Sequence, residues 1–363
     1  VSAVTPEPTN IPETLPELRT FLQAAIELEH LTIPPYLTAM YTLKPGSNVA
    51  AYDVIRSVVV EEMLHMSLAA NLLTAVGGTP DIAHPEFVRA YPARLPYSGL
   101  PMLIPLASFA PETIDTFLAI ERPAPPDTPP DDQGWVSIAQ FYAALRLGLE
   151  RIVAREGPER VFTGDPEHQI GPDDVYNSGG EVVEVVDLRT AREAIEIIVD
   201  QGEGAHESIF EEGAAVGGPL PELAHYYRYN EIRLGRRYDR HDTADSGPTG
   251  PALSVHWDQV YRIDPAARVS AYPAGSAVRA HAEEFNLRYA ELLQHIQQGV
   301  TGRPEAMRAA IPAMLRLKYQ AQTLLANPFP GRPGLHASPT FEIDDTVLGR
   351  AADRLAAAAP IPH

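Results

Sequence analysis

Leu18, Phe21, Leu22, Ala25, Leu28, Leu31 and Ile33 recur at threes and fours, which predicts an amphipathic helix over residues 17–43. Thr14 stands three residues before Glu17, the spacing of a capping box at its start. Pro34-Pro35 interrupts the pattern and predicts a kink or a local loss of helical hydrogen bonds. A second helix is expected over 49–76, ended by Gly77, Gly78 and Pro80. Prolines are then frequent from 78 to 133, read as an ordered excursion with one short helix at 111–120. A third long helix, 137–154, carries Phe141, Leu145, Leu149 and Ile152 on one face.

The pattern next predicts a loop over 157–187 that ends in a strand-like apolar run, 182–186. A fourth helix starts at 187 or 190 and runs through 209, and a fifth covers 221–238. The polar, turn-rich stretch 240–250 marks a boundary. Further helices are expected at 277–298 and 304–326, followed by an irregular Pro/Gly tail whose alanine-rich end, 351–359, frays. The expected fold class is mainly α: a helical bundle over 1–238 with a Pro-rich insertion at 78–133. A C-terminal helical extension, 239–363, is expected to pack on that bundle.

Composition narrows the chemistry. A chain of 363 residues with 45% apolar side chains can bury a substantial core. The absence of cysteine removes disulfide scaffolds, thiolate-held zinc, iron–sulfur clusters and cysteine nucleophiles, so any metal must be held by His, Asp and Glu. A net charge of −20 argues against nucleic acid or an anionic membrane as partner. Residues 1–12 have neither a basic n-region nor an apolar h-region, and the expected location is cytoplasmic. No Gly-rich phosphate loop and no Gly-x-Ser-x-Gly elbow is present.

Glu62 and His65 stand at i and i+3 in the second helix, one turn apart on one face, amid Val58, Val59, Leu64 and Leu68. An uncompensated carboxylate there would be costly. This spacing is the one by which helical bundles hold pairs of iron or manganese ions. A single Glu-x-x-His is equally a solvated surface pair. Here, however, Glu203/His206 and Glu222/His225 repeat the spacing, and Glu29 lies in a further apolar stretch between Glu27 and His30. Together they point to a carboxylate–histidine site for two metals.

Six segments carry a resemblance: Leu28-Glu-His-Leu-Thr-Ile-Pro-Pro-Tyr-Leu37, Glu61-Glu-Met-Leu-His65, Gly77-Gly-Thr-Pro80, Ile138-Ala-Gln-Phe-Tyr142, Gln201-Gly-Glu-Gly204 and Ala224-His-Tyr-Tyr-Arg-Tyr229. In this order, over residues 18–235, they resemble the ferritin-like domain of the iminophenyl-pyruvate dimer synthases, the group that includes the violacein-pathway imine-coupling protein. The resemblance implies a ferritin-like bundle and oxidative coupling of imines made from aromatic amino acids. It carries Glu29, Glu62, His65 and Glu203 over as metal ligands. The last imidazole is His225 or His206, with His225 preferred because it lies in the stronger motif. A carboxylate is also expected from the third helix, where Glu150 is available.

The expected function is therefore an oxidase or oxygenase. Two iron ions, or manganese in their place, would activate O₂, and the resemblance implies a small amine, amino-acid or imine substrate. Tyr36 is read first as a packed core tyrosine, with a hydrogen bond to a ligand carboxylate as its functional alternative. Arg228 either binds a substrate carboxylate or closes an ion pair with Glu231. The rival readings are a metal-storage bundle and a metal-free binding module. Whether two chains pair as a homodimer is left open.

Overall fold

The computed structural model describes residues 11–95, 102–123, 135, 137–175, 182–202, 209 and 222–357. Thr14 opens α1, Leu15–Thr42, through the expected capping box: its hydroxyl accepts from the Glu17 amide, and the Glu17 carboxylate accepts from the Thr14 amide. The helix runs through Pro34 and Pro35 without a break. Pro35 has no N–H to offer the Leu31 carbonyl, and the hydroxyl of Tyr91 donates to that carbonyl instead, at 2.9 Å. A second chain segment thus repairs the lost helical bond.

α2, Val49–Ala75, ends where Gly77 takes φ +71° and the Gly78 amide reaches back to the Leu73 carbonyl at 2.9 Å. It is long and apolar enough to cross a membrane, but 89% of its apolar 18-residue stretch is buried inside the protein. After α3, Pro111–Ile120, comes α4, Ile138–Glu156, capped by the hydroxyl of Ser137. A single turn, α5, Pro158–Val161, leads towards α6, Leu188–Gly202. α1 packs on α2, α2 on α6, α6 on α4 and α4 on α1, which closes a four-helix ring.

α7, His225–Leu234, packs on α3 and on α2, and it ends at Gly235 with φ +65°. It is shorter than the expected 221–238 because residues 222–224 are not helical and Gly235 stops it. The C-terminal part supplies α8, Ala277–Gly299, α9, Met307–Leu325, and α10, Asp345–Ala357. α10 was expected to be irregular. Leu348 and Ala351 form its buried face, packed with Leu287 and Ala290 of α8, and the Asp344 carboxylate caps it through the Val347 amide. α9 packs on α1, and the Gln297 side chain of α8 accepts from the Ile82 and Ala83 amides beyond α2.

No strand is present among the described residues. The apolar run expected as a strand is held by side-chain amides instead. Gln169 pairs with both backbone groups of Val185, each at 2.7 Å, and Asn71 donates to the Val183 carbonyl. The run therefore has its hydrogen bonds without a partner strand. α6 is described only to Gly202, and Ile209, expected at the helix end, lies in a bend.

Candidate metal centre

The Glu62–His65 pair sits mid-way along α2 among Val58, Val59, Met66 and Ala69, with Glu61 as the one further buried carboxylate beside it, and helical geometry points both side chains into the bundle. Glu29 comes from α1, and His225 is the first residue of α7. Glu121 is the residue that ends α3, its amide still bonded to the Phe117 carbonyl. All five are buried: Glu29, Glu62 and His65 are 2% exposed, Glu121 1% and His225 0%.

They form two overlapping sets. Donor atoms of Glu29, Glu62 and His65 lie within 4.8 Å of one another, and so do those of Glu62, Glu121 and His225. Glu62 belongs to both. Each set could hold a metal ion, with Glu62 placed to bridge them. The two imidazole rings stack with centroids 5.4 Å apart.

The surrounding groups orient the donors. Tyr142 of α4 donates to Glu29 Oε1 at 2.7 Å, and Tyr36 of α1 donates to Glu121 Oε1 at 2.5 Å. The Thr32 hydroxyl lies 3.0 Å from Glu62 Oε2 and 2.8 Å from the Glu29 carbonyl oxygen. Both imidazoles turn Nε2 outward. That of His65 meets Gln201 Oε1 at 2.9 Å, and that of His225 meets Glu61 Oε2 at 2.8 Å. A proton on Nε2 leaves Nδ1 as the lone-pair nitrogen, and both Nδ1 atoms face the carboxylates. His65 Nδ1 is 3.5 Å from Glu29 Oε2. His225 Nδ1 is 3.0 Å from Glu62 Oε1 and 3.5 Å from Glu121 Oε2, yet forms no hydrogen bond of acceptable angle.

Such a cluster without cations is electrostatically expensive. Burial, and after it the charge of Glu121, pushes the Glu62 carboxyl up to about 7. Burial opposes a charge on His225, but the Glu121, Glu61 and Glu62 carboxylates outweigh it and hold the imidazolium well above its ordinary range. His65 is raised in the same way, Glu29 and then Glu62 outweighing burial. Burial and then the neighbouring carboxylates keep the Tyr36, Tyr142 and Tyr229 phenols protonated. The Tyr229 hydroxyl is buried and has no hydrogen-bond partner.

Among the sequence candidates, the structure brings Glu29, Glu62, His65 and His225 together, while Glu203 and His206 lie outside the described residues. Tyr36 is at once a core tyrosine and a donor to one of the clustered carboxylates. Arg228 is engaged with Glu61 at 2.7 Å, Ser57 and Glu222 at 3.2 Å each, and the Leu223 carbonyl. Glu231 pairs with Arg237 instead of Arg228. Glu222 precedes α7 and is 68% exposed, so Glu222 and His225 do not form a one-turn helical pair. Glu150 faces Arg192 at 2.7 Å on a half-exposed flank, away from the cluster. Glu121 was missed. It is the residue just past the end of α3, where a carboxylate is normally solvated, so no local pattern singles it out.

A four-helix ring with buried carboxylates and an imidazole turned inward, joined by a second imidazole and carboxylate from α7 and the end of α3, defines the class: a ferritin-like bundle. A ferritin-like family model matches residues 22–234, and the chain belongs to the ferritin-like family. Dichlorochromopyrrolate synthase of Lentzea aerocolonigenes is 25% identical over 311 residues, 78% of this chain and 29% of that protein. The chain thus spans less than a third of that relative's length. A ferritin-like protein from Caulobacter vibrioides, known from its crystal structure, superposes with a TM-score of 0.60 at 24% identity. That match covers 91% of this chain and 99% of the other, and it speaks for the fold alone.

Proposed function

We propose that this protein is an oxidase or oxygenase of specialised metabolism. In this reading two iron ions, held by Glu29, Glu62, His65, Glu121 and His225, activate O₂ for a small amine, amino-acid or imine substrate. The observation that carries the reading is the pair of donor sets sharing Glu62, each with an imidazole whose Nδ1 faces inward. The donor set fits iron: hard carboxylate oxygens and borderline imidazole nitrogens, with no thiolate in the chain. His225 Nδ1 faces Glu62 Oε1 at 3.0 Å and Glu121 Oε2 at 3.5 Å, the arrangement that an imidazole sharing a cation with two carboxylates would present. The relative named as a synthase of a chromopyrrolate, and the resemblance to imine-coupling enzymes, support a biosynthetic role over storage.

Two iron ions would supply the electrons and open coordination positions that O₂ reduction needs. The protein's own part is positional. Tyr36 and Tyr142 fix the outer carboxylates, and Thr32 steadies Glu62. Apolar side chains of α1 and α2 keep bulk water from the donors. An open groove of about 570 Å³ near Asn48, Arg237 and His256 contains none of the cluster residues, so we do not assign the substrate to it.

The test is metal analysis of protein purified from iron-replete cells. About two iron ions per chain, and an absorption change when the anaerobic iron(II) form meets O₂, are expected. Glu62→Ala, which removes the shared ligand, should abolish both. Absence of metal from the wild-type protein would sink the reading in favour of a metal-free module, and shell-sized particles would favour storage.

A further inference from the structure

Among the described residues the two donor sets are nearly matched. Each has one imidazole, one carboxylate fixed by a tyrosine hydroxyl, and a share in Glu62. They differ in what stands behind the imidazole. His65 Nε2 meets the neutral carboxamide oxygen of Gln201 at 2.9 Å. His225 Nε2 meets a carboxylate, Glu61 Oε2, at 2.8 Å.

Glu61 is itself locked in place. Its other oxygen, Oε1, accepts from Arg228 Nη1 at 2.7 Å, and Arg228 is anchored by Ser57, Glu222 and the Leu223 carbonyl. The ion pair occupies Oε1 of this buried carboxylate and leaves Oε2 to the imidazole. A charged acceptor draws the Nε2 proton more strongly than an amide oxygen does, which makes the opposite nitrogen a better donor to a cation. Fixing the tautomer and ring angle adds to the same effect.

We propose that the two halves of the centre bind metal unequally: the Glu62–Glu121–His225 half fills first, and the Glu61–Arg228 pair is what sets the order. This rests on the reading of the cluster as a two-metal centre. Glu61 and Arg228 are then positioning residues that act through His225, and Gln201 is their weaker counterpart behind His65. A graded pair has a chemical use, since one ion stays bound while the other is the more readily exchanged.

The experiment is calorimetric and optical titration of cobalt(II) into metal-free, folded protein. Two steps are expected, and His225→Ala should remove the tighter one while His65→Ala removes the weaker. Glu61→Gln should weaken the tight step by about 10- to 100-fold and leave the weak step in place. Gln201→Glu should act the other way, tightening the weak step and narrowing the gap; it also keeps the test open if Glu61→Gln does not fold. Equal steps in the wild-type protein, or a Glu61→Gln variant that binds as the wild type does, would overturn the proposed order while leaving a two-metal centre standing. Uptake of fewer than two cobalt ions by the wild-type protein would overturn both.

Discussion

Three buried tyrosines surround the centre, and their hydroxyls should affect stability with opposite signs. Tyr142 donates to Glu29 at 2.7 Å and Tyr36 to Glu121 at 2.5 Å, whereas the Tyr229 hydroxyl is buried without a partner. The rings of Tyr36 and Tyr229 also meet edge to face, 5.2 Å between centroids, so both sit in the same packing environment. Tyr→Phe removes only the oxygen and leaves the ring packing intact. At Tyr142 it takes away a hydrogen bond to a charged group, a loss of about 1.5–3 kcal/mol. At Tyr229 it removes a desolvated hydroxyl whose burial costs about 1–3 kcal/mol, so the variant should be more stable than the wild type by ~1 kcal/mol. The gap between the two variants is then roughly 3 kcal/mol, or about 1 M in urea midpoint for a slope near 3 kcal/mol/M. Equilibrium urea unfolding of chelator-treated protein at neutral pH, followed by far-UV circular dichroism, measures it. If Tyr229→Phe falls below the wild type alongside Tyr142→Phe, its hydroxyl is satisfied and the reasoning is wrong. If it rises, the protein keeps a hydroxyl beside Glu121 and Glu62 at a cost to its own stability, as groups reserved for function do.

Metal-free protein should lose stability between about pH 5 and 8. Glu62, raised from 4.5 to about 7, binds its proton more tightly folded than unfolded, so its contribution is present below the unfolded value and lost as pH rises through about 7; His65 and His225, both raised, act in the same direction. Glu62 alone contributes roughly 3 kcal/mol to that loss, and a flat stability profile of the chelator-treated protein across this window would refute the assignment. Tyr91→Phe should destabilise by about 1–3 kcal/mol, because the Leu31 carbonyl freed by Pro35 loses its donor inside the core; thermal or urea unfolding reports it, and a neutral result would mean that the carbonyl finds another partner. Gly164→Ala should be worse than its exposure suggests, since a Cβ would lie 1.7 Å from the Thr74 carbonyl oxygen and force the backbone apart by overpacking, at a cost of roughly 1–3 kcal/mol in the same unfolding assay. A Gly164→Ala variant with wild-type stability would show that this contact yields freely.

The long helices were legible because their signals are local. The Thr14–Glu17 box, the apolar stripe of α4 behind Ser137 and the Gly77-Gly78 stop each lie within a few residues of the boundary they set. The misreadings share a cause as well. The run 182–186 has the composition of a strand, but its hydrogen bonds go to Gln169 and Asn71, partners that only the tertiary fold brings near. α10 is alanine-rich and weak as an isolated helix; Leu348 and Ala351 make it worthwhile only once α8 is in place to receive them.

The centre divides along the same line. Glu29, Glu62 and His65 lie mid-helix among apolar neighbours, so a charged or titratable residue there contradicts its own local pattern, and that contradiction is visible in one dimension. Glu121 and His225 sit at helix ends, where a polar residue contradicts nothing, since such positions are normally solvated. Only the packing of α3 on α7 turns both ends inward and makes the second donor set. The first half of the centre is therefore written in helix periodicity, and the second in a contact between two ten-residue helices. The Glu61–Arg228 pair behind His225 belongs to the same contact: Arg228, on the second turn position of α7, reaches Glu61 on α2 only because that short helix docks there. Docking of α7 thus brings the ligand and the group that orients it in one step. Any change that loosens α7 should be felt first in the half of the centre that the sequence pattern announced least.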